Sequence, residues 1–263
     1  MNFKYLKESL LESTGLKSVI YFSQLHSTNK YAKENSIESD SLIVTSYQYE
    51  GRGRFDRIWE TIENNNLTFT LVKEIPLENK NLFAVNFYIS YITLKAIKEI
   101  FPEYIHNKFS LKWPNDLLLN GKKFSGILSE VLNINEKIKK FIIGVGINVN
   151  QKEFSNTIVN KATSLRNETG IIFELEDLLI RVVNEFYGNL SLLDNPLELL
   201  ELWKKNFLFM NREVKFRKTG NSEEITGRIN DITDDGGIKI ETVEEFNTKK
   251  ITVYYTGEIS FIY

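Results

Sequence analysis

Apolar positions recur along the chain at two different periods, every second residue in some segments and every third or fourth in others, and these periods mark strands and helices. Ser18-Val-Ile-Tyr-Phe-Ser23 reads as a short strand, and Ser27-Thr-Asn-Lys-Tyr-Ala-Lys-Glu34 as a helix. The Ser, Thr and Asn that open this helix suit the capping of free backbone N–H groups. A second strand fits Leu42 to Tyr47, and Leu67 to Lys73 alternates like a strand with one polar face. Between them, Gln48 to Asn66 follows neither period and holds three Arg and two Gly. Leu82 to Phe101 then fits a long helix, with Leu82, Val85, Ile89, Ile92, Ala96 and Ile100 at helical spacing.

From Phe109 to Asn150 the pattern is that of strands, and Asn120-Gly121 is the strongest hairpin signal in the chain. Strict alternation beyond the turn assigns Lys123, Ser125, Ile127 and Ser129 to one face. Phe124, Gly126, Leu128 and Glu130 fall on the other. Two amphipathic helices fit Leu175 to Leu192 and Pro196 to Phe207. After Met210 the chain reads as short strands, with turns at Thr219-Gly220-Asn221 and Asp234 to Gly237. These patterns predict an α+β body over residues 1–208 and a small β unit, barrel-like in its strand spacing, over 209–263.

Composition narrows the chemistry. A length of 263 residues with 42% hydrophobic and 26% charged residues supports a sizeable core. The absence of cysteine removes disulfides, thiolate metal sites and thiol nucleophiles, and two histidines make a His-based metal site a poor expectation. A net charge of −2 does not suit a protein whose main task is gripping duplex DNA. The first residues lack an apolar signal core, and Phe83 to Leu94 is too short and too polar to span a bilayer. The expectation is a cytoplasmic protein with no membrane partner.

Three segments carry candidate chemistry. In Gln48-Tyr-Glu-Gly-Arg-Gly-Arg-Phe-Asp-Arg-Ile-Trp59, the guanidinium groups suit planar anions, and the glycines let backbone N–H groups approach them. The segment lacks the Gly-Lys-Ser/Thr ending of a Walker A loop and the third glycine of a dinucleotide fingerprint, so by itself it predicts only an anion. In Lys112-Trp-Pro-Asn-Asp116 and Lys123-Phe-Ser-Gly-Ile-Leu-Ser-Glu130, a lysine on a rigid strand can stabilise charge developing at phosphorus or an acyl carbon. Gly126 inside an apolar strand marks a close approach by a ligand or another backbone. Gly144-Val-Gly-Ile-Asn148 reads equally as a packing constraint or as backbone opened for a nucleotide.

Taken in order, Ser27-Thr-Asn29, Gly51-Arg-Gly-Arg54 with Arg57 and Trp59, Lys112-Trp-Pro-Asn-Asp-Leu117, Lys123-x-x-Gly-Ile-Leu-x-Glu130 and Gly144-Val-Gly-Ile-Asn148 resemble biotin-protein ligases. The likeness runs from about residue 18 to the end and includes Trp203, Asn211-Arg212 and Gly257-Glu-Ile-Ser260. It implies a class II synthetase-like catalytic domain, a mixed sheet flanked by helices, followed by an SH3-like β-barrel. It also implies ATP-dependent formation of biotinyl-5′-AMP and transfer of biotin to a lysine of a biotin carboxyl carrier protein domain, such as that of acetyl-CoA carboxylase. By the same resemblance, Ser27, Thr28, Asn29, Gln48, Arg52, Gly53, Arg54, Lys123 and Gly126 would meet biotin. Arg52, Arg54, Arg57, Trp59, Asn115, Lys123 and Asn148 would meet the nucleotide. Lys123, Arg52, Arg54 and Asp116 would carry the chemistry, with Mg²⁺ near Asp116.

Two residues depart from the family pattern. Asp56 stands where glycine is common and Glu50 where a small residue is common, so these acids are expected either to pair with the Arg cluster or to weaken the clamp. The repressor type of the family carries an additional N-terminal winged-helix module; with 26 residues ahead of Ser27, the expectation is a ligase that does not bind DNA directly. The family includes monomers and homodimers, which leaves a homodimer open. The competing readings are a lipoate-protein ligase or octanoyl transferase, whose Arg-Arg, Gly-Gly-Gly and His-Asp runs are missing here, and a single-stranded RNA-binding module. The latter needs a basic groove with exposed stacking aromatics.

Overall fold

Hydrogen-bond register organises the chain into two sheets, described by a computed structural model for residues 1–76, 82–133, 138–220 and 223–261. In chain order the elements begin with helix α1 (Phe3–Ser13), strand β1 (Ser18–Leu25), helix α2 (Thr28–Glu34) and strands β2 (Ser41–Gln48) and β3 (Asn66–Pro76). Helix α3 (Leu82–Lys98) precedes strands β4 (Phe109–Lys112), β5 (Asp116–Leu119), β6 (Lys122–Asn133) and β7 (Ile138–Asn148). Helices α4 (Leu165–Thr169), α5 (Leu175–Gly188) and α6 (Pro196–Lys205) follow. The chain ends in strands β8 (Glu213–Arg217), β9 (Glu224–Ile232), β10 (Ile238–Val243), β11 (Lys249–Tyr254) and β12 (Glu258–Phe261).

Among the described residues the first sheet has seven strands in the order β1-β2-β3-β7-β6-β5-β4. Only the β1–β2 pair is parallel, so the sheet is mixed, as the resemblance implied. One face carries the main core, where Leu67, Phe69 and Leu71 of β3 cluster with Val85, Tyr88, Ile89 and Ile92 of α3 and with Leu179, Val182 and Val183 of α5. The fully buried leucines and valines contribute roughly 1.5–3 kcal/mol each. The opposite face is covered at one end by α2, with Ala32, Ile43, Val72 and Ile142 in a smaller cluster. The rest of that face is left open.

The expected helix at 27–34 forms with Ser27 as its N-cap, accepting from the Lys30 N–H. The Asn120-Gly121 turn forms as well, both residues taking positive φ (50° and 76°). Helix α1 was not evident in the periodicity. It buries only Leu6 and Leu10, two apolar positions among exposed Lys, Glu and Tyr.

Strand β6 breaks the expected alternation. Leu117 pairs with Ser125 but Leu118 pairs with Lys123, so Phe124 is an extra residue opposite β5. Such a bulge turns the strand by one residue and re-aims a side chain. Lys123 and Gly126, assigned above to opposite faces, therefore lie on the same side: a methyl on Gly126 would stand 2.9 Å from Lys123 Cε and Nζ. Phe124 goes into the core with no exposure.

The second sheet is antiparallel, in the order β11-β10-β9-β8-β12. Its core of Val214, Phe216, Ile229, Ile232, Ile238, Ile240 and Ile259 is continuous with the main one. It docks on the body through Trp113 Nε1, which donates to Gly236 O (2.9 Å), and through Lys204 and Asp231 (2.8 Å). The turn expected at Thr219 to Asn221 runs partly outside the described residues, since Asn221 is not described. No helix is long and apolar enough to cross a membrane among the described residues.

Candidate active site

The open face of the first sheet has a floor of glycines. Gly126 of β6 and Gly146 of β7 are direct partners, and Gly144 lies between Thr70 of β3 and Leu128 of β6. On this floor lies the Trp59 ring: a methyl on Gly146 would collide with the indole, and one on Gly126 would reach within 3.2 Å of it. Close approach, expected at Gly126 from a ligand or backbone, is thus made by the side chains of Lys123 and Trp59. At Gly144 it is made by the Asn29 side chain.

Above the floor is a cavity of about 680 Å³, inside the size range of small-molecule sites. It is bordered by Ser27, Thr28, Asn29, Gln48, Arg52, Gly53, Arg54, Arg57, Trp59, Asn115, Asp116, Lys123, Gly126 and Asn148. The fold thus gathers all the predicted site residues from six stretches of chain. Lys112, Thr68, Phe154, Lys161, Glu258 and Ser260 also border it without having been assigned a role from sequence. Only Lys112 and the closing strand carried a local signal, their places in the quoted motifs.

One wall is a hydrogen-bonded cluster. The Thr28 N–H donates to Gln48 Oε1 (2.8 Å), and the Thr28 hydroxyl lies 3.1 Å from the same oxygen. Thr70 Oγ1 is 2.7 Å from both Thr28 Oγ1 and Asn29 Oδ1. Asn29 Nδ2 donates to Leu128 O (3.0 Å) and Glu130 Oε2 (3.1 Å), and Lys33 Nζ holds the other Glu130 oxygen at 2.7 Å. The Asn29 side chain therefore bridges β3 and β6 across Gly144, which only a residue without a side chain leaves open.

The facing wall is cationic. Arg52, Arg54, Arg57, Lys112, Lys123 and Lys161 border the cavity against Glu60, Asp116 and Glu258, an electropositive site in a chain of net charge −2. Residues 51–59 form a closed turn, with Arg52 bridging Ile58, Gly53 N–H donating to Arg57 O (2.7 Å) and Trp59 N–H to Gly51 O (2.9 Å). At its tip Phe55 has φ 57° and stacks against the Arg54 guanidinium at 4.7 Å. Arg54 Nη1 donates to Asn115 Oδ1 (3.4 Å), and Asn115 Nδ2 in turn donates to Ile127 O. Burial lowers the Arg54 pKa, with Asp116 and Glu258 opposing the shift; guanidinium nevertheless stays protonated at neutral pH. Burial lowers Lys112 too, again against the charge of Asp116.

Lys123 Nζ pairs with Asp116 at 2.6 Å and lies 5.6 Å from the Trp59 ring centre. Its backbone is held by Lys161 O and Thr163 N–H (2.8 and 2.9 Å). Arg57 pairs with Glu258 of the second sheet. The expected pairing of Glu50 with the Arg cluster does not form; Glu50 pairs with Lys30 at 3.3 Å. The Asp56 side chain lies outside the described residues. Asn148 Nδ2 donates to Thr163 O (3.1 Å), tying β7 to the segment beside Lys123.

Comparisons with known proteins agree with this architecture. Residues 21–148 match the biotin/lipoate A/B protein ligase family, and residues 209–262 match the biotin protein ligase C-terminal domain. A solved biotin protein ligase from Aquifex aeolicus, in complex with biotin and ATP, is similar at 29% identity and a TM-score of 0.73. That likeness covers 93% of this chain and 99% of the other. The bifunctional ligase/repressor BirA of Bacillus subtilis is 29% identical over 252 residues, 92% of this chain and 73% of its own length. A biotin–acetyl-CoA-carboxylase ligase of Paracoccus denitrificans is 27% identical over 148 residues, 54% of this chain and 60% of its own length. The two family matches cover more than half of the chain and span both sheets, and with the shared architecture they establish that the chain belongs to the biotin protein ligase family.

Proposed function

We propose that this protein attaches biotin to a lysine of a biotin carboxyl carrier protein in two ATP-dependent steps, using residues 1–208 as the catalytic unit and 209–263 as a second unit that closes the site. The observation that carries this reading is the convergence, in one cavity, of six cationic side chains and a polar cluster on a floor of glycines. The polar cluster of Ser27, Thr28 and Gln48 suits the donors and acceptors of a ureido ring, and the cations suit a carboxylate beside phosphates. Asn29 borders the same ring site while its amide hydrogens hold β6 and Glu130.

In the first step a biotin carboxylate oxygen bonds to the α-phosphorus of ATP as the bond to the bridging oxygen breaks and pyrophosphate leaves. Lys123, Arg52 and Arg54 hold the carboxylate and α-phosphate together and offset the negative charge that gathers on the equatorial oxygens. Trp59, Arg57, Asn115 and Asn148 form the nucleotide side. The Trp59 N–H and the Thr68 hydroxyl are buried and have no hydrogen-bond partner among the described residues. In the second step the carrier lysine amine bonds to the acyl carbon, AMP leaves with the electron pair, and the amine proton is lost. Asp116 is the carboxylate placed to orient that amine.

No cluster of three or more metal-binding side chains occurs among the described residues, and Asp116 and Glu258 are each paired with a cation. Asp116 would be the residue to hold Mg²⁺ here, and the ion would supply neutralisation of phosphate charge.

The test is biotin-dependent exchange between ATP and pyrophosphate, followed by labelling of a carrier domain. Exchange and labelling with biotin are expected. Exchange with lipoate and none with biotin would overturn the reading.

A further inference from the structure

Lys123 is held in place by contacts made outside the cavity. Its backbone lies between Leu118 of β5 on one side and Ala162, in the segment leading to α4, on the other. The Lys123 N–H donates to Lys161 O (2.8 Å), and the Thr163 N–H donates to Lys123 O (2.9 Å). On the β5 side the bulge disrupts the ladder, and the Asn120-Gly121 turn that opens β6 sets where the strand begins.

A single carboxylate grips both sides. Glu168 Oε1 accepts from the Thr163 hydroxyl (2.6 Å), and Glu168 Oε2 accepts from Asn120 Nδ2. An ionised carboxylate only accepts, so neither bond has a second direction. Glu168 stands on α4, whose start is anchored. Ser164 Oγ accepts from the Asn167 N–H and donates to Gln151 O (2.6 Å), the Arg166 N–H donates to Val149 O (2.9 Å), and Leu165 has no exposure. Asn120, Thr163 and Glu168 do not border the cavity.

We propose that Glu168 is a positioning residue for Lys123: it clamps the turn before β6 to residues 161–163 and so holds the Lys123 ammonium where carboxylate and α-phosphate meet. This rests on the reading above, in which Lys123 stabilises the transition state. Without the clamp, turn and segment shift independently, and a displacement of about 1 Å at a reacting group costs about 10²-fold in rate. Biotin in the ground state is held by the polar wall across the cavity, which Glu168 does not touch, so the loss falls on kcat.

Pyrophosphate exchange at saturating substrates and biotin binding by calorimetry are measured on the full chain. Glu168→Ala should lower kcat about 10- to 100-fold, with the biotin Kd within about threefold. Thr163→Val, which keeps the shape and removes the hydroxyl, should lower kcat about 3- to 10-fold, and Thr163→Ser should stay within about twofold of the parent. In a Lys123→Met chain, adding Glu168→Ala or Thr163→Val should change the remaining rate less than about twofold, because the group being positioned is gone. A residue serving only the fold would lower the rate alike in both backgrounds. A parent-like kcat in Glu168→Ala, a loss that lies in Kd, equal losses in the two backgrounds, or a Ser variant as slow as Val overturns the proposal. Should Glu168→Ala fail to fold, the Thr163 variants decide by the same criteria. If the parent shows no biotin-dependent exchange, or Lys123→Met keeps the parent's rate, the reading of the site fails and the proposal with it. Exchange lost in Lys123→Met but kept in Glu168→Ala overturns the proposal alone.

Discussion

Replacing Lys123 with methionine removes one charge and keeps the stem that covers Gly126 and Trp59. In the resting protein that charge has two partners, Asp116 at 2.6 Å and the Trp59 ring at 5.6 Å. The Lys123 side chain is 35% exposed and that of Asp116 20%, so water screens the pair and its net worth is about 1 kcal/mol or less. The cation–ring contact adds about 0.5–1 kcal/mol. The fold should therefore lose no more than about 2 kcal/mol, a fall in Tm of about 4–8 °C for a chain of this length. At the transition state the same ammonium faces charge that grows as the carboxylate meets the α-phosphate. Losing a donor fixed at such a point costs about 10²–10³ in kcat. Pyrophosphate exchange with saturating biotin and ATP should thus fall by two to three orders of magnitude, while the biotin Kd, read by calorimetry, rises less than about tenfold. If biotin affinity and kcat fall in parallel, Lys123 serves ground-state binding. If Tm falls by more than about 15 °C, it serves the fold. Either result refutes the reasoning.

Gly146→Ala places a methyl 2.7 Å from Trp59 Nε1; the indole should leave the floor, with a shift in tryptophan emission and at least about tenfold weaker biotin binding, and an unchanged spectrum with unchanged affinity would refute the packing role. Burial raises the pKa of Asp40, but hydrogen bonds and charge from Lys73, with Lys17 and Ser39, outweigh this and leave it lowered. With the folded pKa below the unfolded one, this group adds stability above about pH 3.9, and that stability is lost as pH falls through the folded pKa. Asp40→Asn should accordingly cost about 1.5–3 kcal/mol at pH 7 and little once both states are protonated, as urea midpoints would show; a cost independent of pH would count against the ion pair. The Arg57–Glu258 pair, with side chains 63% and 35% exposed, should be worth under about 1 kcal/mol to the fold. Glu258→Gln should still speed tryptic cleavage at Arg52, Arg54 and Arg57, and biotin with ATP should slow it; identical cleavage in every case would mean the second sheet does not hold the loop.

Local physics was legible in the chain alone. Ser27 caps a helix because a short hydroxyl side chain can reach the Lys30 N–H, and Asn120-Gly121 turns because both residues tolerate positive φ. The helical faces of α3 and α5 follow from three- and four-residue spacing. The Arg, Lys and Asp of the motifs announced their chemistry by residue type, and the fold brings them to one cavity. What periodicity could not carry was anything set by partners distant in sequence. An extra residue against β5 is a property of a pair of strands, so alternation along β6 alone put Lys123 on the wrong side of Gly126. The glycines at 126, 144 and 146 signalled a close approach, yet only the register of β3, β7 and β6 and the return of Trp59 and Asn29 show which groups approach. Thr70 looked like any polar position on an alternating strand, and its place under Thr28 depends on α2 packing over β3. Glu258 reaches the arginine loop from about 200 residues away. Sequence determined which groups are present and which local turns they can take, because those depend on a residue and its near neighbours. Tertiary structure alone decided which groups meet, because strand register and packing join residues that lie far apart in the chain.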